Sequence, residues 1–365
     1  METTTSVMTV HYDEKPIYDI GFYSDFSHLL GHCEALNIKG RNICIVSDSH
    51  VAEHYLSEVT AILEKLSPKV ISFVFEAGEE QKSLDTVRRL YEHLILEHFE
   101  RRDILVALGG GVVGDLTGYT AATYLRGIDF IQIPTSLLAQ VDSSIGGKTG
   151  VDFDSYKNMV GAFHQPKLVY INISTLKTLS TRQFLSGMGE VVKYGVIIDA
   201  PFYHWIEEHK EQIIALENAV IKEMIYRSCD NKRRVVEQDP KEQGMRALLN
   251  FGHTLGHAIE KLTHFQYLHG ECVGVGSILA ARISYNKGLI TKETLTSLEE
   301  LISFFSCPYI SGYEVDEVLE TVRSDKKMSE GQIKFILLDE IGHAYISREV
   351  CNEDMKTVLE EYQHA

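Results

Sequence analysis

Residues 250–260 read NFGHTLGHAIE, with His253 and His257 four apart in a stretch of helical pattern. On a helix that spacing stacks two imidazoles on one face, which is how a helix presents ligands to a metal. Spacing alone does not decide between two ligands, one and none. The chain has 16 histidines, and His50 and His54 repeat the spacing in SDSHVAEH. The metalloprotease form of the motif needs glutamate directly after the first histidine, where this chain has Thr254. Two residues elsewhere strengthen the metal reading. His269, in LHGECVGVG, opens an apolar helical run, and Glu190 lies in GMGEVVKYG. Glu190, His253 and His269 could supply the three protein ligands of an open catalytic zinc site. Read alone, Glu190 and Lys193, one turn apart, form an ordinary surface ion pair.

A second group of residues suits phosphate. ALGGGVVGD carries G-x-G-x-x-G at Gly109, Gly111 and Gly114, after a strand-like run and at the start of a helical one. Glycine there lets the backbone approach a pyrophosphate, which helix N–H groups then bind. The ribose-binding acid expected about 20 residues further on is missing, since the next strand ends in Pro134. Asp48, ending an earlier strand, is the better candidate. GGKTG (146–150) has the look of a phosphate loop, but Asp142 stands where a Walker loop needs glycine. Lys148 among glycines can still hold a phosphate by charge and neighbouring amides. Arg126, Lys148, Lys157, Lys193, Arg246 and Lys326 all lie beside polar or glycine-rich runs. Singly each is a solvated charge; as a set they could form an anion pocket.

The first half of the chain has the elements to position such groups. NICIVSD, KVISFVFEAGEE, DILVALGGG, IDFIQIP and KLVYINI are strand-like runs, most of them separated by helical segments. That alternation predicts a mostly parallel sheet covered on both faces. Between IDFIQIP and KLVYINI, TSLLAQVDSSIGGKTGVDFDSYKNMVGAFHQP reads as a long functional loop. After about residue 178 helical periodicity dominates, apart from a hairpin at IKFILLDEIGHAYIS. The expectation is an α/β domain over 1–180 and a helical domain over 181–365. The length of 365 residues agrees with two domains. A net charge of −17 argues against nucleic-acid and anionic-membrane surfaces. The six cysteines form no CxxC, METTTSVMTV lacks the features of a secretory signal, and no run reaches the ~18 apolar residues of a membrane span. A cytoplasmic protein is expected.

The motifs AGEEQKSL, GGGVVGDLTGY, LRGIDFIQIPTSLLAQVDSSIGGKTGVD, KNMVGAFHQP, SGMGEVVKYG and RALLNFGHTLGHAIE resemble those of the 3-dehydroquinate synthases, over a stretch from Asp48 to about Ala344. The resemblance implies a Rossmann-like domain binding NAD and a helical domain carrying a divalent metal, zinc or cobalt, with the active site in the cleft between them and a homodimer as the working form. The implied reaction, in the shikimate pathway to aromatic amino acids, converts 3-deoxy-D-arabino-heptulosonate 7-phosphate to 3-dehydroquinate and phosphate. NAD is reduced and reoxidised within one turnover. Oxidising a ring hydroxyl acidifies the adjacent C–H, and phosphate then leaves by β-elimination, with the phosphate itself as base.

By the same resemblance Glu190, His253 and His269 are the metal ligands, and His257 moves a hydroxyl proton instead. Lys193 and Asn250 hold substrate hydroxyls. Lys148, Asn158, Lys326 and a partner subunit's Arg126 serve the phosphate, with Lys327 competing with Lys326 for that role. Lys232 and Arg246 read the carboxylate. The NAD positions are Asp48, Glu79, Glu80, Gln81, Lys82, Gly110, Gly111, Val112, Val113, Gly114, Asp115, Thr135, Ser136, Asp142, Lys148, Lys157, Thr175, Leu176, Lys177 and Thr178. The chain departs from the family's usual residues at Ser136, Ser180 and Asp239-Pro240, conservatively or outside the direct site. Cyclases that make 2-deoxy-scyllo-inosose or a valiolone differ at the carboxylate readers, whereas Arg246, Asn250 and His257 keep the dehydroquinate synthase pattern. Two further activities suit the same residues: an amino-dehydroquinate synthase, and a metal-dependent polyol dehydrogenase, which would release its reduced cofactor.

Overall fold

A computed structural model describes residues 6–364 apart from 155, 243, 306–308 and 328–333; for 325–327 it describes the backbone and not the side chains. The chain divides into two compact units, Met1–Leu179 with Leu216–Pro240, and Ser180–Ala215 with Lys241–Ala365.

The strands of the first unit are β1 (Val7–Tyr12), β2 (Lys15–Tyr23), β3 (Ile43–Asp48), β4 (Val70–Phe75), β5 (Ile104–Gly109), β6 (Asp129–Pro134), β7 (Lys148–Phe153), β8 (Tyr156–Phe163) and β9 (Leu168–Asn172). Seven of them form a sheet in the order β1-β2-β9-β6-β5-β3-β4. Only β1 and β2 pair antiparallel in it. The central strands carry continuous apolar runs, ICIV in β3 and ILVAL in β5, because helices cover both of their faces. Side chains alternate between the two. Ile43 and Ile45 pack with Leu29 and Cys33 of helix α1 (Leu29–Ala35) and with Val59 and Leu63 of α2 (Ser49–Leu63). Cys44 and Val46 pack with Val87 and Leu90 of α3 (Leu84–Leu96) and with Val113 and Leu116 of α4 (Gly111–Thr123).

The direction in which successive strands are added across the sheet reverses between β3 and β5. From β3 the chain passes through α2 to the edge strand β4, and from β5 through α4 to β6 on the other side. The carboxyl ends of two such strands flank the crevice where open α/β sheets bind ligands.

Two features differ from the sequence expectation. The β1–β2 hairpin precedes the first strand that periodicity revealed. Segment 135–166 is not a structureless loop, since it contains a π-helical turn (Ala139–Ser143) and the β7–β8 hairpin. Its glycines mislead when read as breakers. Gly150 and Gly161 face each other across the hairpin, and a Cβ on Gly161 would lie 2.4 Å from Thr149 O.

The second unit begins with α5 (Thr181–Ile198) and α6 (Ala200–Ile214). The chain then rejoins the first unit as α7 (Asn218–Gln238), so one boundary near 180 describes it only as far as residue 215. Tertiary contacts set that membership: Tyr226 packs on Phe22 at 5.3 Å, and the Cys229 thiol donates to Gln140 O at 3.3 Å. The remainder of the second unit is α8 (His253–Leu262), α9 (His269–Asn286), α10 (Lys292–Phe304), α11 (Val315–Lys327), the hairpin of β10 (Phe335–Glu340) with β11 (His343–Ser347), and α12 (Asn352–Gln363). Helix α9 is buried along most of its length and packs against α5, α8, α10 and α12.

Candidate functional site

In the first unit the glycine run caps a helix at the switch point. Gly109 ends β5, and Gly110 is the N-cap of α4, with no side chain capping that end. The glycines divide into two kinds. A Cβ on Gly109 would lie 2.5 Å from Val113, and one on Gly114 would lie 2.8 Å from Gln132, so these two allow close packing. Gly110 and Gly111 face only the hydroxyls of Ser136 and Ser143, at 3.4 and 3.3 Å from a built Cβ. The helix start therefore presents bare N–H groups and two hydroxyls, which fits a pyrophosphate. Asp48 stands at the end of the adjacent strand β3. One of its oxygens accepts from Val51 N at 3.0 Å, so the residue that sequence assigns to a ribose also caps α2. Thr135 and Ser136 follow β6, and Thr175, Leu176, Lys177 and Thr178 lie on or just after the 3₁₀ turn Ile173–Lys177.

Several candidate residues of this unit meet in one network. The Lys82 ammonium lies 2.7 Å from Asp115 Oδ2 and donates to Asn158 Oδ1 at 2.6 Å. Burial alone would lower its pKa; Asp115 and then Glu79 raise it above the usual lysine value. Lys157 reaches Glu79 at 3.5 Å, while Glu79, Glu80 and Gln81 form a 3₁₀ turn. Lys232, on α7, donates to Asp142 Oδ1 at 2.7 Å. Lys148 is the exposed first residue of β7. Leu125, Arg126 and Gly127 all have positive φ, at 50°, 72° and 118°, and Arg126 is exposed. Positive φ is uncommon outside glycine, above all for a bulky residue such as Leu125.

In the second unit close helix packing assembles the metal candidates. A Cβ on Gly270 would lie 1.8 Å from Ser186 O, which brings the start of α9 onto α5. A Cβ on Gly276 would lie 1.9 Å from Gly252 O, which does the same for α9 and α8. Glu190 Oε1 then lies 3.5 Å from His253 Nε2 and 3.5 Å from His269 Nε2. Ligands 2.0–2.1 Å from a tetrahedral zinc stand about 3.4 Å apart, so this spacing fits. Each of the two rings has its other nitrogen engaged. His253 Nδ1 faces Phe251 O at 3.0 Å, and His269 Nδ1 faces Glu260 Oε2 at 3.3 Å. With the hydrogen on Nδ1 and Nε2 deprotonated, both rings would offer Nε2 to a metal beside Glu190.

Charge agrees with this geometry. The side chains of Glu190 and Lys193 are each only 2% exposed, so their ion pair is buried and not the surface pair that spacing suggests. Burial opposes ionisation of Glu190, but Lys193, His269 and His253 hold its carboxyl well below the usual range. Burial and Lys193 push His253 well below the usual histidine value. Burial also opposes charge on His269, but Glu190 and Glu260 raise it to about 9. A metal held here would meet one carboxylate and two imidazoles, and His269 would release a proton on binding it.

His257 shares the site. The ring nitrogens of His253, His257 and His269 lie within 4.8 Å of one another, but His257 is exposed. Asn250 Nδ2 donates to Glu242 Oε1 at 3.1 Å, and Arg246 is buried in the same 3₁₀ turn. The side chain of Lys326, and the choice between it and Lys327, lies outside the described residues. Sequence reasoning missed Glu260, three residues beyond His257 on the same helix face. Its spacing was the available signal.

Residues 72–186 match the family model described as 3-dehydroquinate synthase N-terminal, and residues 187–328 match 3-dehydroquinate synthase C-terminal. The 3-dehydroquinate synthase of Acetivibrio thermocellus is 44% identical over 322 residues, 88% of this chain and 89% of the relative. That of Pelobacter propionicus is 44% identical over 345 residues, 93% and 95% of the two chains. Among solved structures, 2-deoxy-scyllo-inosose synthase complexed with carbaglucose-6-phosphate, NAD+ and Co2+ superposes with a TM-score of 0.87 at 26% identity, covering 97% of this chain and 99% of that one. An iron-containing alcohol dehydrogenase, at 0.68 and 15% with 98% and 100% covered, shares the fold.

Proposed function

The chain belongs to the 3-dehydroquinate synthase family, and on that premise we propose how its own residues carry the family's reaction, the conversion of 3-deoxy-D-arabino-heptulosonate 7-phosphate to 3-dehydroquinate and phosphate. The observation that carries the proposal is the convergence of Glu190, His253 and His269 at zinc-like spacing.

The glycine start of α4, with Asp48 on the neighbouring strand, binds NAD. Glu190, His253 and His269 hold zinc or cobalt. When bound, NAD takes up and returns a hydride, and the metal acidifies and polarises the hydroxyl that is oxidised. Lys193 and Asn250 hold substrate hydroxyls in place, and exposed His257 accepts a hydroxyl proton. Arg246 and Lys232 pair with the carboxylate, for which guanidinium and ammonium donors suit. Lys148, Asn158 and Lys326 hold the phosphate, which takes the adjacent carbon-bound proton as it departs. The protein with NAD and Zn2+ is expected to release phosphate from the heptulosonate phosphate with no net NADH. NADH accumulating stoichiometrically would identify a dehydrogenase and overturn this reading. The carboxylate readers favour this substrate over the carboxylate-free ones of the inosose type.

Arg126 acts in the site of a second copy. Two observations support a dimer. The backbone at Leu125–Gly127 is strained while Arg126 points to solvent. The β7–β8 hairpin leaves Phe153, Tyr156, Met159 and Phe163 each roughly half exposed, a surface suited to burial against another copy. Arg126→Ala and His253→Ala proteins should each be inactive, and mixed subunits should regain part of the activity, because one site then has all its groups. No recovery from mixed dimers would rule out action in trans. Cytoplasmic residence suits the reading. No disulfide joins the five described cysteines, and no described helix is long and apolar enough to cross a membrane.

A further inference from the structure

Glu260 is a charged side chain that the reaction above does not use. It is 3% exposed, on α8, seven residues after His253 and three after His257. Those intervals place it on the face that carries both histidines. A carboxylate buried this deeply is costly unless a partner repays its lost hydration. Its Oε2 lies 3.3 Å from His269 Nδ1, while Nε2 of the same ring lies 3.5 Å from Glu190 Oε1. The ring therefore stands between two carboxylates, one on its metal-facing side and one behind it.

His253 and His269 are oriented by different means. The Nδ1 of His253 is held by Phe251 O, two residues away on its own chain. His269, at the first position of α9, finds its acceptor on another helix. Its backbone is fixed separately: Arg182 donates to Glu271 through Nε and Nη2, at 2.8 Å each, and Glu271 Oε2 accepts from Leu268 N at 2.7 Å. That clamp sets where α9 begins and leaves the imidazole free to turn. Contact with Glu260 removes this remaining freedom.

We infer that Glu260 is a positioning residue of the metal site, which by accepting a hydrogen bond from His269 Nδ1 fixes the tautomer and ring orientation through which His269 offers Nε2 to the metal. The inference rests on the metal reading proposed above. Carboxylate partners of this kind typically change metal affinity 10- to 100-fold.

The test is titration of the metal-free full-length protein with Co2+ against a chelating dye, with the visible d–d spectrum recorded. Glu260→Ala is expected to weaken Co2+ binding by about 10- to 100-fold. Isosteric Glu260→Gln should bind more weakly than the parent and shift the spectrum, with unchanged thermal unfolding of the metal-free form. His269→Ala should lose more affinity than either. Adding Glu260→Gln to His269→Ala should then cost nothing further, because the carboxylate acts through that ring. Unchanged affinity and spectrum in Glu260→Gln, with His269→Ala impaired, overturns the inference and leaves the metal site standing. A further loss in the double variant also overturns it. Full affinity in His269→Ala overturns the inference together with the metal reading.

Discussion

Replacing His253 by alanine is expected to abolish metal binding and turnover together, whereas His257→Ala keeps the metal and loses rate. The two residues share a helix face and their rings lie 4.9 Å apart, so position along the sequence does not separate them. Their surroundings do. His253 Nε2 faces Glu190, its Nδ1 is engaged by the backbone, and burial keeps the ring uncharged. Removing it takes away one of the three proposed protein ligands, which should cost far more affinity than the 10- to 100-fold typical of an outer partner. His257 is exposed, and its proposed role is to move a hydroxyl proton. Losing a group that moves a proton typically slows turnover about 10²- to 10⁴-fold. Metal content after dialysis and the rate of phosphate release measure the two effects separately. Equal metal loss in both variants would mean that His257 is a ligand as well.

Gly270→Ala is expected to destabilise the second unit and empty its metal site, though the change adds one methyl group and touches no ligand. The new Cβ would fall 1.8 Å from Ser186 O and 2.6 Å from Ser186 C, which are backbone atoms of α5. No side-chain rotation relieves that overlap, so α9 must move away from α5. Inserted methyl groups in packed interiors typically cost about 1–3 kcal/mol, more where backbone must shift. A loss of about 3 kcal/mol corresponds to a drop of roughly 6–12 °C in Tm for a unit of this size. His269 and Glu190 ride on these two helices, so their 3.5 Å spacing opens with them. Gly31→Ala is the matched control. A Cβ there meets nothing within 4 Å, and the helical site should gain about 0.5–1 kcal/mol. Thermal unfolding with and without chelator, plus metal content, distinguishes the two. A Gly270→Ala protein with parental Tm and full metal content would show that the helices can part without losing the site.

Much of this molecule is readable along the chain because its signals are local. The runs ICIV and ILVAL within β3 and β5 announce buried parallel strands, since a strand covered on both faces is apolar at successive positions. The glycine run after β5 marks a helix start stripped of side chains, and the interval from His253 to His257 puts both on one face. The family motifs implied a ligand set and substrate contacts.

What the sequence could not decide depends on contacts between distant segments. Glu190 and Lys193 have the spacing of a solvated surface pair, and only packing of α5 buries them. Spacing puts Glu260 on the histidine face, but only α9 brings His269 to it. Helix α7 is amphipathic wherever it is placed, and its contacts with Phe22, Gln140 and Asp142 assign it to the first unit. The glycines of the β7–β8 hairpin and of α9 look like breaks in a pattern but are points of close backbone approach. By itself the sequence determined the central strands, most of the helices and the family resemblance. Tertiary structure alone decided which charges are buried and which nitrogen of His253 and His269 faces Glu190. Periodicity specifies a face, whereas burial and hydrogen-bond partners are set by whatever packs against it.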